Sequence, residues 1–331
     1  MSDVPVQEPA VVPAHRRPLL VGLLLGLSLA LNVLALILPF VVIDAAGSAP
    51  WIYGLLGSVQ MLIDSKMVVL AAMVFVFSVI FPFAKLAVLG WLWWNGVTTP
   101  RRHAVLMRVE KLGKWSLFDV FLVAIMVGLT NDQWLISSAS LPGLNCFLIA
   151  VVLGMLAGEV LTAVVGHPPV PAPADTRVPR SGLLLVLLLV IGALLAATLL
   201  VPFIRLDDWR LSNRAYSLLT LVPALWQNDS PFLAIGMGAF VMVVPIITWL
   251  LTALMISRWW RRQPPAGMLH LLAFSGRWSM MSVFAMSLGV FLAEGHRFLG
   301  TQPLAGVWTL VVGLGLAWIG QLLLGRSFAR R

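Results

Sequence analysis

Three ionisable side chains fall inside apolar runs of this sequence: Lys85, Asp119 and Glu159. A charge inside a membrane helix costs at least about 2.5–3.5 kcal/mol on insertion scales, so such groups face the bundle interior and pair or bind charged ligands. At about 1.5 Å per helical residue they lie roughly 14, 7 and 10 Å inside their runs, a gap that an extended lysine stem closes. The pattern predicts that Lys85 meets Asp119, with Glu159 nearby. Two roles fit. Lys85 holds an anionic group such as a lipid phosphate, or serves ion-coupled opening of a polar pocket. Alternatively the pair is a neutral strut locking helices together. Asp119 has a further role open to it, because Ser116-Leu117-Phe118-Asp119 fits a capping box at a helix start.

The runs that carry these residues are membrane spans. Of 331 residues 60% are hydrophobic and 11% charged, and the mean hydropathy is +0.98. A chain this apolar shares its core with lipid. The net charge of +9 does not form a nucleic-acid face, because the basic residues gather in particular loops. Cys146 stands alone, which excludes an intrachain disulfide and a cysteine-based zinc site. The histidines (His15, His103, His167, His270, His296) fall in loops or at helix ends, with no pair placed to ligate haem or metal. There is no P-loop and no nucleophile–base pattern. Neither an enzyme nor a cofactor is expected.

The chain is written twice. Gly113-Lys114-Trp115-Ser116-Leu117-Phe118-Asp119-Val120-Phe121 returns as Gly276-Arg277-Trp278-Ser279-Met280-Met281-Ser282-Val283-Phe284, an offset of 163 residues. Pro39-Phe40, Tyr53, Leu62 and Pro82 return as Pro202-Phe203, Tyr216, Leu225 and Pro245 at the same offset. That register marks a tandem duplication. Lys85, Asp119 and Glu159 become Thr248, Ser282 and Leu322, so the second copy keeps hydroxyls with Ser279 where the first keeps charge.

Expected spans are Leu19–Val41, Lys66–Trp94, Trp115–Thr130 and Gly143–Val165, then Gly182–Phe203, Pro231–Ser257, Trp278–Glu294 and Pro303–Gly325. The reading is an all-α integral membrane protein with eight transmembrane helices in two tandem parallel four-helix repeats. Residues 1–18 form a disordered leader, 19–165 the first unit, 166–181 a Pro-rich linker, 182–325 the second unit and 326–331 a basic tail. The leader, the 95–114 and 258–277 loops, the linker and the tail hold sixteen of the 22 Lys and Arg, which puts both termini in the cytoplasm.

Between spans, residues 51–63 read as an amphipathic helix in the outer interface, and 101–114 as a basic one at the inner surface. Trp115 and Trp278 read as interface anchors, and the Trp91-Trp93-Trp94 and Trp259-Trp260 clusters as belt residues. Pro82 and Pro245 predict kinks, which open space between helices or serve packing. Asn32 is placed to hydrogen-bond across helices.

With Pro82-Phe83-Ala84-Lys85 and the two Gly-(Lys/Arg)-Trp-Ser segments in place, the chain over about 19–325 resembles the PqiA/LetA family, the paraquat-inducible protein A type. Thr248 stands where that family's lysine would fall in the second unit, and Ser282 where its aspartate would. The resemblance implies a Gram-negative inner-membrane protein that works with a periplasm-spanning MCE protein in moving phospholipid or a similar amphiphile. Many relatives carry Cys-x-x-Cys zinc ribbons before each unit, and this chain has none. The alternatives are a non-transporting scaffold for the MCE protein and an ion-coupled transporter of a small solute. The segments Trp51–Ile63 and Tyr216–Trp226 are candidate partner surfaces.

Overall fold

The computed structural model describes residues 18–45, 49–130, 136–165, 182–207, 213–260, 266–294 and 301–329. The expected leader, nearly all of it, and the linker lie outside the described residues, as do the side chains of Trp259 and Trp260 and of everything after Gly320. The first repeat runs α1 (Leu19–Ile37), β1 (Pro39–Ala45), β2 (Trp51–Gly54), α2 (Leu55–Asp64), α3 (Val68–Val74), α4 (Phe81–Asn95), α5 (Pro100–Gly113), α6 (Phe118–Leu129), β3 (Ile136–Ser140) and α7 (Pro142–Val165). The second runs α8 (Gly182–Leu200), β4 (Ile204–Asp207), β5 (Asn213–Tyr216), α9 (Leu218–Gln227), α10 (Pro231–Met237), α11 (Val244–Trp260), α12 (Ala266–Trp278), α13 (Met281–Glu294), β6 (Thr301–Pro303) and α14 (Ala305–Ala329).

The duplication is exact in register. α1 and α8, α2 and α9, and α3 and α10 are displaced by 163 residues at both ends. Among the described residues, six helical stretches are long and apolar enough to cross a membrane: Leu19–Ile37, Val68–Asn95, Pro100–Leu129, Pro142–Val165, Pro231–Arg258 and Leu271–Glu294. α8 and α14 are the apolar counterparts of α1 and α7.

The fold is not all-α. Among the described residues, two three-stranded antiparallel sheets, ordered β2-β1-β3 and β5-β4-β6, close one end of the bundle, away from basic α5. The first span was expected to reach Val41, but α1 stops at Ile37. Leu38 before Pro39 is held extended at φ −74°, ψ 153°, as the residue preceding a proline prefers. Val41, Val42 and Ile43 are β-branched and pair on both sides, Val42 lying opposite Ile52 and Ala139. The interfacial helix expected over 51–63 is therefore a strand followed by α2.

Pro82 and Pro245 sit at the second position of α4 and α11, each just after a π-helical turn (Phe75–Ile80 and Gly238–Val243). The wide turn accommodates the carbonyls that proline leaves without a donor, so the expected irregularity takes the form of a π-turn.

Gly143 and Gly306 begin α7 and α14 against the turn out of the preceding repeat helix. A Cβ there would lie 2.6 Å from the Pro39 or Pro202 carbonyl oxygen. Neither backbone can yield without disturbing its sheet. Gly143→Ala and Gly306→Ala are each expected to cost about 1–3 kcal/mol. The readout is the unfolding midpoint in detergent, and unchanged midpoints would show that these turns move freely.

The repeats share one core. α6 packs on α13, where Ser287 Oγ donates to Phe118 O at 2.8 Å and Phe121 meets Phe284 edge-on at 6.3 Å. Asn228 Nδ2 donates to Val127 O at 2.8 Å, and Leu70 N donates to Glu294 Oε2 at 3.2 Å. With no water in a bilayer core, such bonds satisfy groups that lipid cannot.

Candidate functional site

The interior of the first repeat is closed by charge. Lys85, on α4, is 6% exposed. A Cβ at Gly113 would lie 2.9 Å from its ammonium, so the Lys85 side chain packs directly against the Gly113 backbone. The carboxylate whose charge acts on it is Glu110, from α5, and not Asp119. Thr162 Oγ1, on α7, donates to Glu110 Oε1. Arg277 then reaches over from α12 of the second repeat. Its Nη2 lies 2.7 Å from Glu159 Oε2 and its Nη1 lies 3.7 Å from Glu110 Oε2. Two acids and two cations from both repeats thus balance.

The predicted Lys85–Asp119 contact is not made. The Ser78 hydroxyl is the polar neighbour of the Asp119 carboxyl. Its geometry falls short of a hydrogen bond, and Ser78 Oγ and Asp119 Oδ2 are buried without partners. The capping box is absent too, since Ser116 Oγ is unpartnered and no side chain caps α6. A 3-10 turn, Lys114–Leu117, joins α5 to α6. Carbonyls upstream therefore serve the first amides of α6, and a side-chain cap has nothing left to do.

Trp115 and Trp278 are packing residues instead of outward-facing anchors. Trp115 stacks on Phe77 at 6.1 Å and 27°, and Trp278 on Phe240 at 5.7 Å and 26°. Both phenylalanines belong to the π-turns, so the turn, the proline after it and the indole form one repeated device. Trp278, 7% exposed, sets its indole N–H beside Glu159, without hydrogen-bond geometry. Trp91 and Trp94, at 48% and 61% exposed, do face outward as belt residues should. Asn32 Nδ2 donates to Ser28 O in its own helix, and the cross-helix bond comes from Ser28 Oγ to Ala150 O at 2.7 Å.

The equivalent region of the second repeat lines a cavity. A cavity of about 350 Å³ runs between α8, α11, the start of α13 and α14. Its walls include Leu187, Ile191, Leu195 and Leu314, and Pro245, Thr248, Ser279 and Ser282 line it. Thr248 Oγ1 and Thr252 Oγ1 donate to carbonyls one turn back, so each hydroxyl retains only acceptor capacity. The seven polar residues singled out in the sequence thus lie in two places. Lys85, Ser116, Asp119 and Glu159 belong to the packed first repeat, and Thr248, Ser279 and Ser282 to the cavity.

One lining residue comes from the other repeat: Lys114. Lys114 and Arg277 are equivalent, and each side chain crosses to the opposite repeat. Sequence reasoning treated both as loop charges. The available signal was their place in the repeated Gly-(Lys/Arg)-Trp-Ser segment. Glu110 was missed because an acid on a basic amphipathic helix reads as a solvated one.

Comparison with known proteins agrees with the duplication. The family described as PqiA, Paraquat-inducible protein A, matches residues 22–163 and 183–325. The chain is similar to the Intermembrane transport protein PqiA of Escherichia coli (strain K12) and to that of Shigella flexneri, with 31% identity over 137 residues in each case. These alignments cover 40% of this chain and 33% of each relative, so the chain spans about a third of the length of the curated relatives it matches. No solved structure matches it.

Proposed function

This chain belongs to the paraquat-inducible protein A family, and from that membership we propose that it is the inner-membrane component of an intermembrane lipid transport system. It passes phospholipid or a similar amphiphile to or from a periplasmic MCE-type partner. The relatives named above are called intermembrane transport proteins, which supports transport and not catalysis. In this reading the six long apolar stretches, together with α8 and α14, span the bilayer as two parallel four-helix units, with both termini cytoplasmic. The even number of helices per repeat and the basic residues of α5 support that orientation.

The observation that carries the reading is the cavity of the second repeat. Apolar on most walls, hydroxyl-bearing on one, and lying among helices that face lipid, it suits an amphiphile better than a water-soluble solute. The first repeat, neutralised and packed, serves as the brace. At the sheet end Trp51, Ile52, Leu56, Leu219 and Trp226 are 57, 63, 51, 43 and 59% exposed. An apolar rim of this kind suits the docking of a periplasmic partner.

The test is transfer of fluorescent phospholipid between vesicles by the full-length chain reconstituted with an MCE-repeat protein from the same genome. Transfer that requires both proteins is expected. Stable co-isolation of the two, with transfer no faster than without this chain, would make it a scaffold and overturn the proposal.

A further inference from the structure

We propose that Lys114 is the recognition group for an anionic, phosphate-bearing headgroup in the second-repeat cavity. The inference rests on the amphiphile reading above and adds which amphiphile the cavity selects.

The two repeats provide an internal comparison. Arg277 enters the first repeat and finds Glu159 at 2.7 Å and Glu110 at 3.7 Å. Lys114, at the equivalent position, enters the second repeat, where the residues equivalent to those acids are Ala273 and Leu322. Among the described residues no carboxylate pairs with Lys114. A cation drawn half out of water without a partner is costly, and an anionic ligand is what would complete it.

A second feature points the same way. α13 begins at Met281, and Met281 and Ser282 line the cavity together with Lys114. The first amides of a helix lack intrahelical acceptors, and its N-terminus favours negative charge. In the first repeat that place holds an acid, Asp119, in the first turn of α6. In the second it holds Ser282, which can donate a hydrogen bond but brings no charge. The duplication has kept the cation and the helix start while losing all three acids.

Acyl chains cannot supply the selectivity. Moving them from bilayer to an apolar cavity gains no hydrophobic free energy, because the two surroundings are equally apolar. The headgroup therefore decides. A phosphodiester meets Lys114, the Ser279 and Ser282 hydroxyls and the α13 terminus. A choline or ethanolamine ammonium meets no acid there among the described residues. The site should prefer anionic lipids over zwitterionic ones.

The experiment uses full-length protein, purified and delipidated in detergent, with phosphatidylglycerol or phosphatidylcholine of identical chains added and bound lipid counted by native mass spectrometry. Wild-type protein is expected to retain phosphatidylglycerol about tenfold better, the size of effect a charge-assisted hydrogen bond gives. Lys114→Ala is expected to abolish the preference while both lipids still bind, and Lys114→Arg to keep it. An unchanged unfolding midpoint confirms that the variants are folded. A preference that survives Lys114→Ala overturns the assignment. So does displacement of bound lipid by soluble glycerol phosphate, which would make a free phosphate compound the ligand. Equal retention of both lipids by wild-type protein overturns the headgroup inference but leaves the amphiphile reading standing. Retention of neither lipid would sink both.

Discussion

Replacing Arg277 with methionine is expected to destabilise the protein by about 3–5 kcal/mol, the range for removing one partner of a buried ion pair. The Glu159 and Glu110 side chains are 16% and 7% exposed. Without the guanidinium, Glu159 keeps, among the described residues, the Trp278 indole beside it, and Glu110 keeps Thr162 and the charge of Lys85. Stranded acid is dearer than absent acid. Arg277→Met combined with Glu159→Gln should therefore recover a large part of the loss. Lys114→Met, at the equivalent position, strands no acid and should cost far less. Thermal unfolding in detergent compares all three. A single Arg277→Met variant as stable as wild type would show that the charge cluster does not brace the repeats.

Filling the second-repeat cavity should leave the fold intact and remove its ligand. Thr248→Trp puts an indole into the space at the position where the first repeat carries Lys85. Overpacking typically costs about 1–3 kcal/mol, here met by whatever occupies the cavity, so retained lipid and transfer rate should fall about tenfold to a hundredfold. Ile247→Trp is the control, because Ile247 is 43% exposed on the outer surface of the same helix. Equal lipid retention in the two variants would show that the amphiphile travels elsewhere.

The duplication was legible because Pro, Gly and Trp repeat at a fixed offset, and those residues have backbone or packing duties that apolar drift does not reproduce. Helix positions followed from apolar length alone, and α5 from its amphipathic spacing. The sheets did not. Phe40, Val41, Val42 and Ile43 continue an apolar run without a break, and only Pro39 marks where helix gives way to strand.

The site was legible in its residue types and not in its partners. Lys85 and Asp119 are buried and Glu159 is half-buried, as their cost in lipid requires. Pairing was assigned by depth within one repeat, whereas Arg277 arrives from the other. Lys114 and Arg277 hold one position in two copies, yet one meets two acids and the other meets a cavity. Comparing the copies at Glu110 against Ala273 and Glu159 against Leu322 was the sequence signal for that difference. The indoles misled for a related reason. A Trp beside a basic residue at a span's end reads as a headgroup anchor, but here a π-turn phenylalanine waits behind it.

The central claim is that one repeat is sealed by its own charges while the other is left open for an amphiphile. The most direct measurement is electron cryomicroscopy of the full-length chain in nanodiscs containing phosphatidylglycerol. The account predicts elongated density between α8, α11 and α14 with its polar end at Lys114, and protein side chains alone between α1, α4 and α7. Density of lipid shape beside Lys85, or α8 collapsed onto α14 with no space between them, would contradict it.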